Sequence, residues 1–333
     1  MARLTRIGPS ANGDVAAAVA GAPPLDGRTL VRDAPEETWV LQDQDGRPAA
    51  HGSIWWRNTP SLEGRRTGAI GHYAAVNAER AGHLLEHLCA RLAAEGCAVA
   101  VGPMDGTTWR KYRFVVETST EPGFFLDVDN PEAWPEHFRS AGFRPIAAYF
   151  STLVESLSGE DPRVARVSAR LHDLGVRIRS VDPGRMDEEL RAIHALSAVS
   201  FRDAFLYSPI SDDAFLSLYR PLLPRVDPRL VLLAEHEGTT VGCVFAVPDL
   251  NEPARGVRLR TLVVKTLAVL PDRIYAGLGA LLLARVHRQG LESGLDRAIH
   301  ALMSASNLSR ALSRHWDGRQ IRRYELFARE LSP

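Results

Sequence analysis

The same order of strand-forming and helix-forming stretches runs through this chain twice. That repetition limits the possible folds more than any other feature. In the first pass residues 38–41 suit a strand and Asp45-Gly46 a hairpin turn. Strands are expected at 49–56 and 69–76, then a helix over 79–95 with Ala81, Leu84, Leu85, Leu88 and Leu92 on one face. Gly96 stops that helix, and a strand follows at 97–101. A further helix is expected over 131–141, with Asn130 as its N-cap and Pro131 in its first turn, and a strand at 146–154 after Gly142.

The second pass predicts a strand at 176–180, a helix over 187–200 and a shorter helix after Ser211. Strands are expected at 230–234, 241–247 and 259–269, with Glu237-Gly238 as the hairpin turn. A helix over 277–292 is stopped by Gly294; a strand at 298–303, a short helix near Asn307 and a last strand at 320–327 complete the pass. Asp45-Gly46 corresponds to Glu237-Gly238, Gly96 to Gly294, and Gly82-His83-Leu84-Leu85 to Gly279-Ala280-Leu281-Leu282. The chain therefore reads as two copies of one α/β domain, with the boundary in 156–170.

Length and composition agree with two globular domains: 333 residues, 45% hydrophobic and 24% charged. Forty basic and forty acidic residues cancel, so no chain-wide field would draw nucleic acid or an acidic membrane. The stretch 1–13 has no long apolar run, and the longest runs elsewhere, such as 280–284, are too short to span a bilayer. A cytoplasmic protein with no membrane partner is the expectation. Cys89, Cys97 and Cys243 lie in apolar periodic segments and match no metal or disulfide spacing, so no metal is expected.

Chemistry concentrates in Leu267-Ala268-Val269-Leu270-Pro271-Asp272-Arg273-Ile274-Tyr275-Ala276-Gly277-Leu278-Gly279-Ala280. This is a strand, a short loop and a helix start. The first amides of a helix have no internal partner and sit at the positive end of its dipole. Small residues there let an anion approach the backbone, which makes a phosphate cradle. The stretch lacks Gly-Lys-Ser/Thr and a third glycine, so it is neither a P-loop nor a dinucleotide fingerprint.

Leu267, Val269, Pro271, Gly277 and Gly279 fall in register on a pattern that resembles motif A of the GNAT superfamily, the CoA-dependent N-acyltransferases. Ile274 departs from it, standing where the family has Gln or Arg. The segments 205–211, 247–251 and 102–110 also look like a bacterial group of tandem-domain GNAT proteins, mostly uncharacterised. The resemblance implies two GNAT-like domains, each a mixed, mostly antiparallel sheet flanked by helices. Residues 1–158 would be a degenerate copy without a CoA cradle, because its loop is short and carries Glu79. Residues 171–333 would be the acyl-CoA-binding, catalytic copy. Leu267, Ala268 and Val269 would pair with the pantetheine arm. Arg273, Ile274, Ala276, Gly277, Leu278, Gly279 and Ala280 would surround the pyrophosphate. Asn307 would contact the CoA arm, and Arg314 stands where the family often has a Tyr as general acid.

Asp249 and Glu235 are candidates to relay the proton of an amine acceptor, and Tyr324 is a candidate whose plain role is packing with a paired hydroxyl. Phe205, Tyr207, Trp109 and Arg110 could wall the acceptor site, although Trp109 and Arg110 equally suit a seam between domains. Two readings follow. The chain transfers an acyl group, in the first instance acetyl, from acyl-CoA to an amine; or it is a non-catalytic CoA-binding or regulatory module. A monomer and a homodimer are both compatible with the sequence.

Overall fold

The computed structural model describes residues 3–8, 15–158, 162–304 and 317–332. Asn307, Arg314 and the short helix expected near them lie outside the described residues.

The first half contains β1 (Arg3–Ile7), β2 (Val15–Ala17), β3 (Leu25–Asp26), α1 (Gly27–Asp33), β4 (Glu37–Gln42), β5 (Pro48–Trp55), β6 (Thr67–Ala75), α2 (Ala78–Ala94), β7 (Val99–Gly102), β8 (Phe114–Thr118), α3 (Trp134–Ser140) and β9 (Arg144–Val154). The second half contains α4 (Pro162–Asp173), β10 (Arg177–Ser180), α5 (Met186–Ser200), α6 (Asp212–Tyr219), β11 (Val231–His236), β12 (Thr239–Pro248), α7 (Asn251–Ala254), β13 (Thr261–Val269), α8 (Leu278–Glu292), β14 (Arg297–Ser304) and β15 (Arg319–Glu330).

Among the described residues one sheet joins both halves, in the order β1-β4-β5-β6-β7-β15-β9-β14-β13-β12-β11-β10, with β8 also on β15. Among the described strands of this sheet only β6–β7 and β13–β14 pair in parallel; the other pairs are antiparallel. The mixed, mostly antiparallel sheet with flanking helices is the predicted class. The sequence-based reading did not foresee that the last strands change places. β15, from the second half, lies beside β7 of the first, while β9, from the first, lies beside β14 of the second. The two exchanged strands pair with each other along Arg319–Ala328 and Arg144–Leu153.

Helix α2 covers one part of this sheet through Ala81, Leu84, Leu85, Leu88 and Leu92, all buried. Helix α8 covers the other through Leu278, Leu281, Leu282 and Val286. On the opposite face of the second half, α5 and α6 bury Leu190, Ile193, Leu196, Phe215 and Leu216 against Val263, Ala268 and Phe245. Two expectations need correction. The helix expected from Pro131 begins at Trp134, because the Asn130 side chain is bonded to both backbone groups of Val115 and caps nothing. The expected boundary segment 156–170 is mostly α4, whose Val164, Val167 and Leu171 pack on the α8 core.

Candidate active site at the parting of two parallel strands

Strands β13 and β14 pair over Thr261–Val264 and Arg297–His300 and then part. Lys265 is a bulge at that point, unpaired between Val264 opposite Ala246 and Thr266 opposite Phe245. Thr261 to Val264 are buried, whereas Lys265, Thr266 and Leu267 are half-buried. A bulge re-aims backbone groups out of the ladder. Beyond it, among the described residues, Leu267, Ala268 and Val269 pair with a strand, β12, on one side only. Among the described residues, the Ser200 hydroxyl donates to the Val269 carbonyl from the opposite direction, at 3.1 Å.

Next come a turn at Arg273–Tyr275, capped by Asp272, and then α8. Gly277 is the N-cap of α8, at φ 86°, with no side-chain cap and no acidic residue in the first turn. Arg273, Ile274, Ala276 and Gly277 are exposed, Gly279 and Ala280 half-buried, and Leu278 anchors the helix in the core. The amides at this helix start face an electropositive, uncapped end. Helix α4 borders this loop and helix start: Arg170 donates to the carbonyls of Ile274, at 2.7 Å, and Ala276. Arg163, Arg166 and Arg170 follow helical spacing beside the Val164/Val167/Leu171 stripe, a basic edge that the sequence-based reading missed.

The first half has the same parting between β6 and β7, but its own loop fills it. Parallel pairing ends at Ala69–Val101, and after the cis Gly102-Pro103 bond the chain turns into the gap. The Met104 amide donates to the Ile70 carbonyl at 2.8 Å, and the Asp105 carboxylate takes the amide of the bulged His72 at 2.7 Å. A Cβ on Gly71 would stand 2.4 Å from Asp105 Oδ1, so only glycine admits this loop. Asp33, His72 and Asp105 offer donor atoms within 4.8 Å of one another. Positive charge is already present: Asp33 pairs with Arg32 at 2.8 Å and Arg110 at 3.1 Å. Burial would raise the Asp33 carboxyl, but bonds from Arg32 and His72 hold it well below the usual range. At α2 the Asn77 side chain caps the helix and Glu79 sits in the first turn.

The remaining site candidates are engaged elsewhere. Asp249 is buried, and its Oδ1 accepts the Phe125 amide at 2.7 Å and the Asn251 amide at 3.1 Å, which fastens a first-half loop to the second half. Burial pushes its pKa up despite those bonds. Glu235 is held by Arg179, which also clamps Glu189. Tyr324 is fully buried; its hydroxyl donates to Asp127 at 2.7 Å and meets Ser151 Oγ at 3.0 Å. Burial raises its pKa and keeps it protonated. Trp109 donates to the Ser208 carbonyl and packs edge-on to His194, Tyr207 and Phe215, so Trp109 and Tyr207 form a seam between the halves. Arg110 spends its donors on Asp33 and on the carbonyls of Asp33 and Asp105. Phe205 is exposed.

No family model matches the chain. Among solved structures it resembles a tandem GNAT protein from the clavulanic acid biosynthesis pathway, with a TM-score of 0.53 at 15% identity over 100% of this chain and 99% of that one. This is a tandem GNAT fold. A GCN5-related N-acetyltransferase from Sphaerobacter thermophilus matches as completely, with a TM-score of 0.50 at 16% identity over 99% of this chain and 96% of that one. A bacterial ceramide synthase from Caulobacter vibrioides is 25% identical over 193 residues, which are 57% of this chain. The chain spans about half the length of that curated relative. No described helix is long and apolar enough to cross a membrane.

Proposed function

We propose that the second half binds an acyl-CoA thioester and that the chain transfers the acyl group to an amine. One contrast carries this reading. Among the described residues the second half offers a strand edge that no other strand pairs, touched by the Ser200 hydroxyl at Val269, beside an uncapped helix start, whereas the first half fills the equivalent edge with its own Met104-Asp105 loop. The first half is then a structural partner that lends β9 to the catalytic sheet and receives β15 in return.

Leu267, Ala268 and Val269 would pair with the pantetheine arm, and the amides at 277–280 would face the pyrophosphate, with Arg170 and Arg273 as counter-charges. A backbone N–H at the bulge would face the thioester oxygen as negative charge develops there. Asn307 and Arg314, outside the described residues, remain candidates for contact with the CoA arm.

The likeness to a ceramide synthase favours a long-chain amine as acceptor, since ceramides are amides of long-chain amino alcohols. Val199 and Ile274 support this: both are large, apolar and exposed, one next to Ser200 and the other on the cradle loop. Thiol release from acetyl- and palmitoyl-CoA, screened against polyamines, amino sugars and long-chain amino alcohols, tests the reading. Turnover with a long-chain amine supports the lipid acceptor; turnover with polar amines alone removes it. CoA bound without turnover on any amine would favour the non-catalytic module.

A further inference from the structure

The cleft edge carries an ionisable side chain that neither the motif nor the fold assigns. We propose that Lys265 is the base that takes the proton from the acceptor amine at this site, an inference that rests on the acyl-transfer reading above. Lys265 is the bulged residue of β13, immediately after the last residue paired with β14. It therefore stands where the strand edge becomes accessible, and it keeps partial exposure in a strand whose preceding residues are buried.

Its surroundings favour an uncharged amine. Nζ donates to the Leu126 carbonyl at 2.7 Å, and no described carboxylate forms an ion pair with it. Arg113, from the loop after β7, adds a like charge whose field reaches Lys265, and its guanidinium lies over the rings of Tyr112 and Tyr149 at 3.7 and 3.8 Å. Asp127, from the loop after β8, is already taken by the Tyr324 hydroxyl, the Val128 amide and Arg322. On β14, His300 is buried and desolvated to a pKa of about 4, so it is neutral at physiological pH. Desolvation first, and Arg113 second, outweigh the opposing pull of Asp127 and bring Lys265 down to about 7. A lysine in this state has an available lone pair near neutral pH, as a general base requires. Asp249 Oδ1 and Glu235 Oε1 are engaged by backbone amides and by Arg179, and the Tyr324 hydroxyl donates to Asp127.

The step balances. An ammonium acceptor gives one proton to Nζ of Lys265. The freed nitrogen lone pair forms the C–N bond to the thioester carbonyl, and the C–S bond breaks with its electrons on sulfur. The new amide nitrogen loses its second proton to the thiolate, which leaves as free CoA thiol. Lys265 returns its proton to water. In sum, ammonium and thioester become amide, thiol and one proton.

Lys111 is the other lysine of the chain and is exposed, so it serves as an internal reference. Calorimetry with CoA comes first: no binding by the wild-type chain sinks the acyl-transfer reading itself. Trace labelling with acetic anhydride across pH then reads the neutral fraction of each lysine. We expect half-maximal labelling of Lys265 near pH 7, about three units below an ordinary lysine, and about tenfold suppression by saturating CoA. Labelling of Lys265 in step with Lys111, no labelling at any pH, or no protection by bound CoA overturns the proposal. Lys265→Met should retain CoA affinity and lose about 100-fold in thiol release with any amine the wild type accepts, together with the rising limb of the pH profile near 7. Wild-type rate or an unchanged profile in that variant overturns it as well.

Discussion

Single residues set what each cleft can hold. Gly277 needs φ 86°, and a Cβ there would meet the Val167 methyls at 2.9 Å. Gly277→Ala should therefore cost on the order of 1–2 kcal/mol from strain at that dihedral, with further loss as α4 shifts. A melting-temperature comparison with wild type checks it; an unchanged value would mean α4 does not press on the cradle. Asp249 holds two backbone amides, one from each half. Asp249→Ala should cost about 1–3 kcal/mol, because those amides lose a buried acceptor. Urea denaturation reads this loss, and full stability would argue that Asp249 serves the acceptor instead. The uncapped start of α8 at Gly277 was legible because glycine at a helix start records a backbone requirement directly. Lys265 was not, since its only mark in the sequence is one lysine inside the apolar run Thr261–Val269. A bulge depends on the register of β12 against β13, which local sequence does not encode.

Elements were read well where periodicity is strong and poorly where partners are distant. The apolar stripe of α2 and the Glu237-Gly238 turn, at φ 50° and 75°, match expectation. Helix α4 escaped notice because its apolar residues are few among arginines, and because Val164, Val167 and Leu171 gain meaning only against α8. The exchange of β9 and β15 joins strands more than 160 residues apart, and no local pattern reports such pairing. It has a direct consequence. A fragment of residues 1–158 keeps β7 and β9 but loses the strand between them, which exposes two unpaired edges. That fragment should fail to fold alone and should regain structure when the complementary half is supplied. Near-ultraviolet circular dichroism of each half and of their mixture checks this; a native spectrum from the isolated first half would contradict the exchange.

At the scale of the whole molecule, two further properties follow. Because each half completes the other, thermal unfolding should be one cooperative transition, and two resolved calorimetric peaks would count against a shared sheet. Stability should also fall in mild acid. Burial lowers His51, in the first half, and His300, in the second, to about 4. These folded-state values lie below the unfolded value, so the unfolded chain binds more protons below about pH 6.5. Stability then drops as pH falls from about 6.5 toward 4, by roughly 3 kcal/mol for each histidine. Denaturation midpoints that do not change across that window would contradict the burial of these rings.

The central claim is that the second half alone takes acyl-CoA. Calorimetric titration of acetyl-CoA into the wild-type chain and into Ala280→Glu tests it most directly. Ala280 is half-buried in the first turn of α8, where a carboxylate suits the helix dipole but repels a pyrophosphate. One site per chain is expected in the wild type, and loss of binding in a variant that melts no lower. Two sites per chain, or unchanged affinity in folded Ala280→Glu, would contradict it.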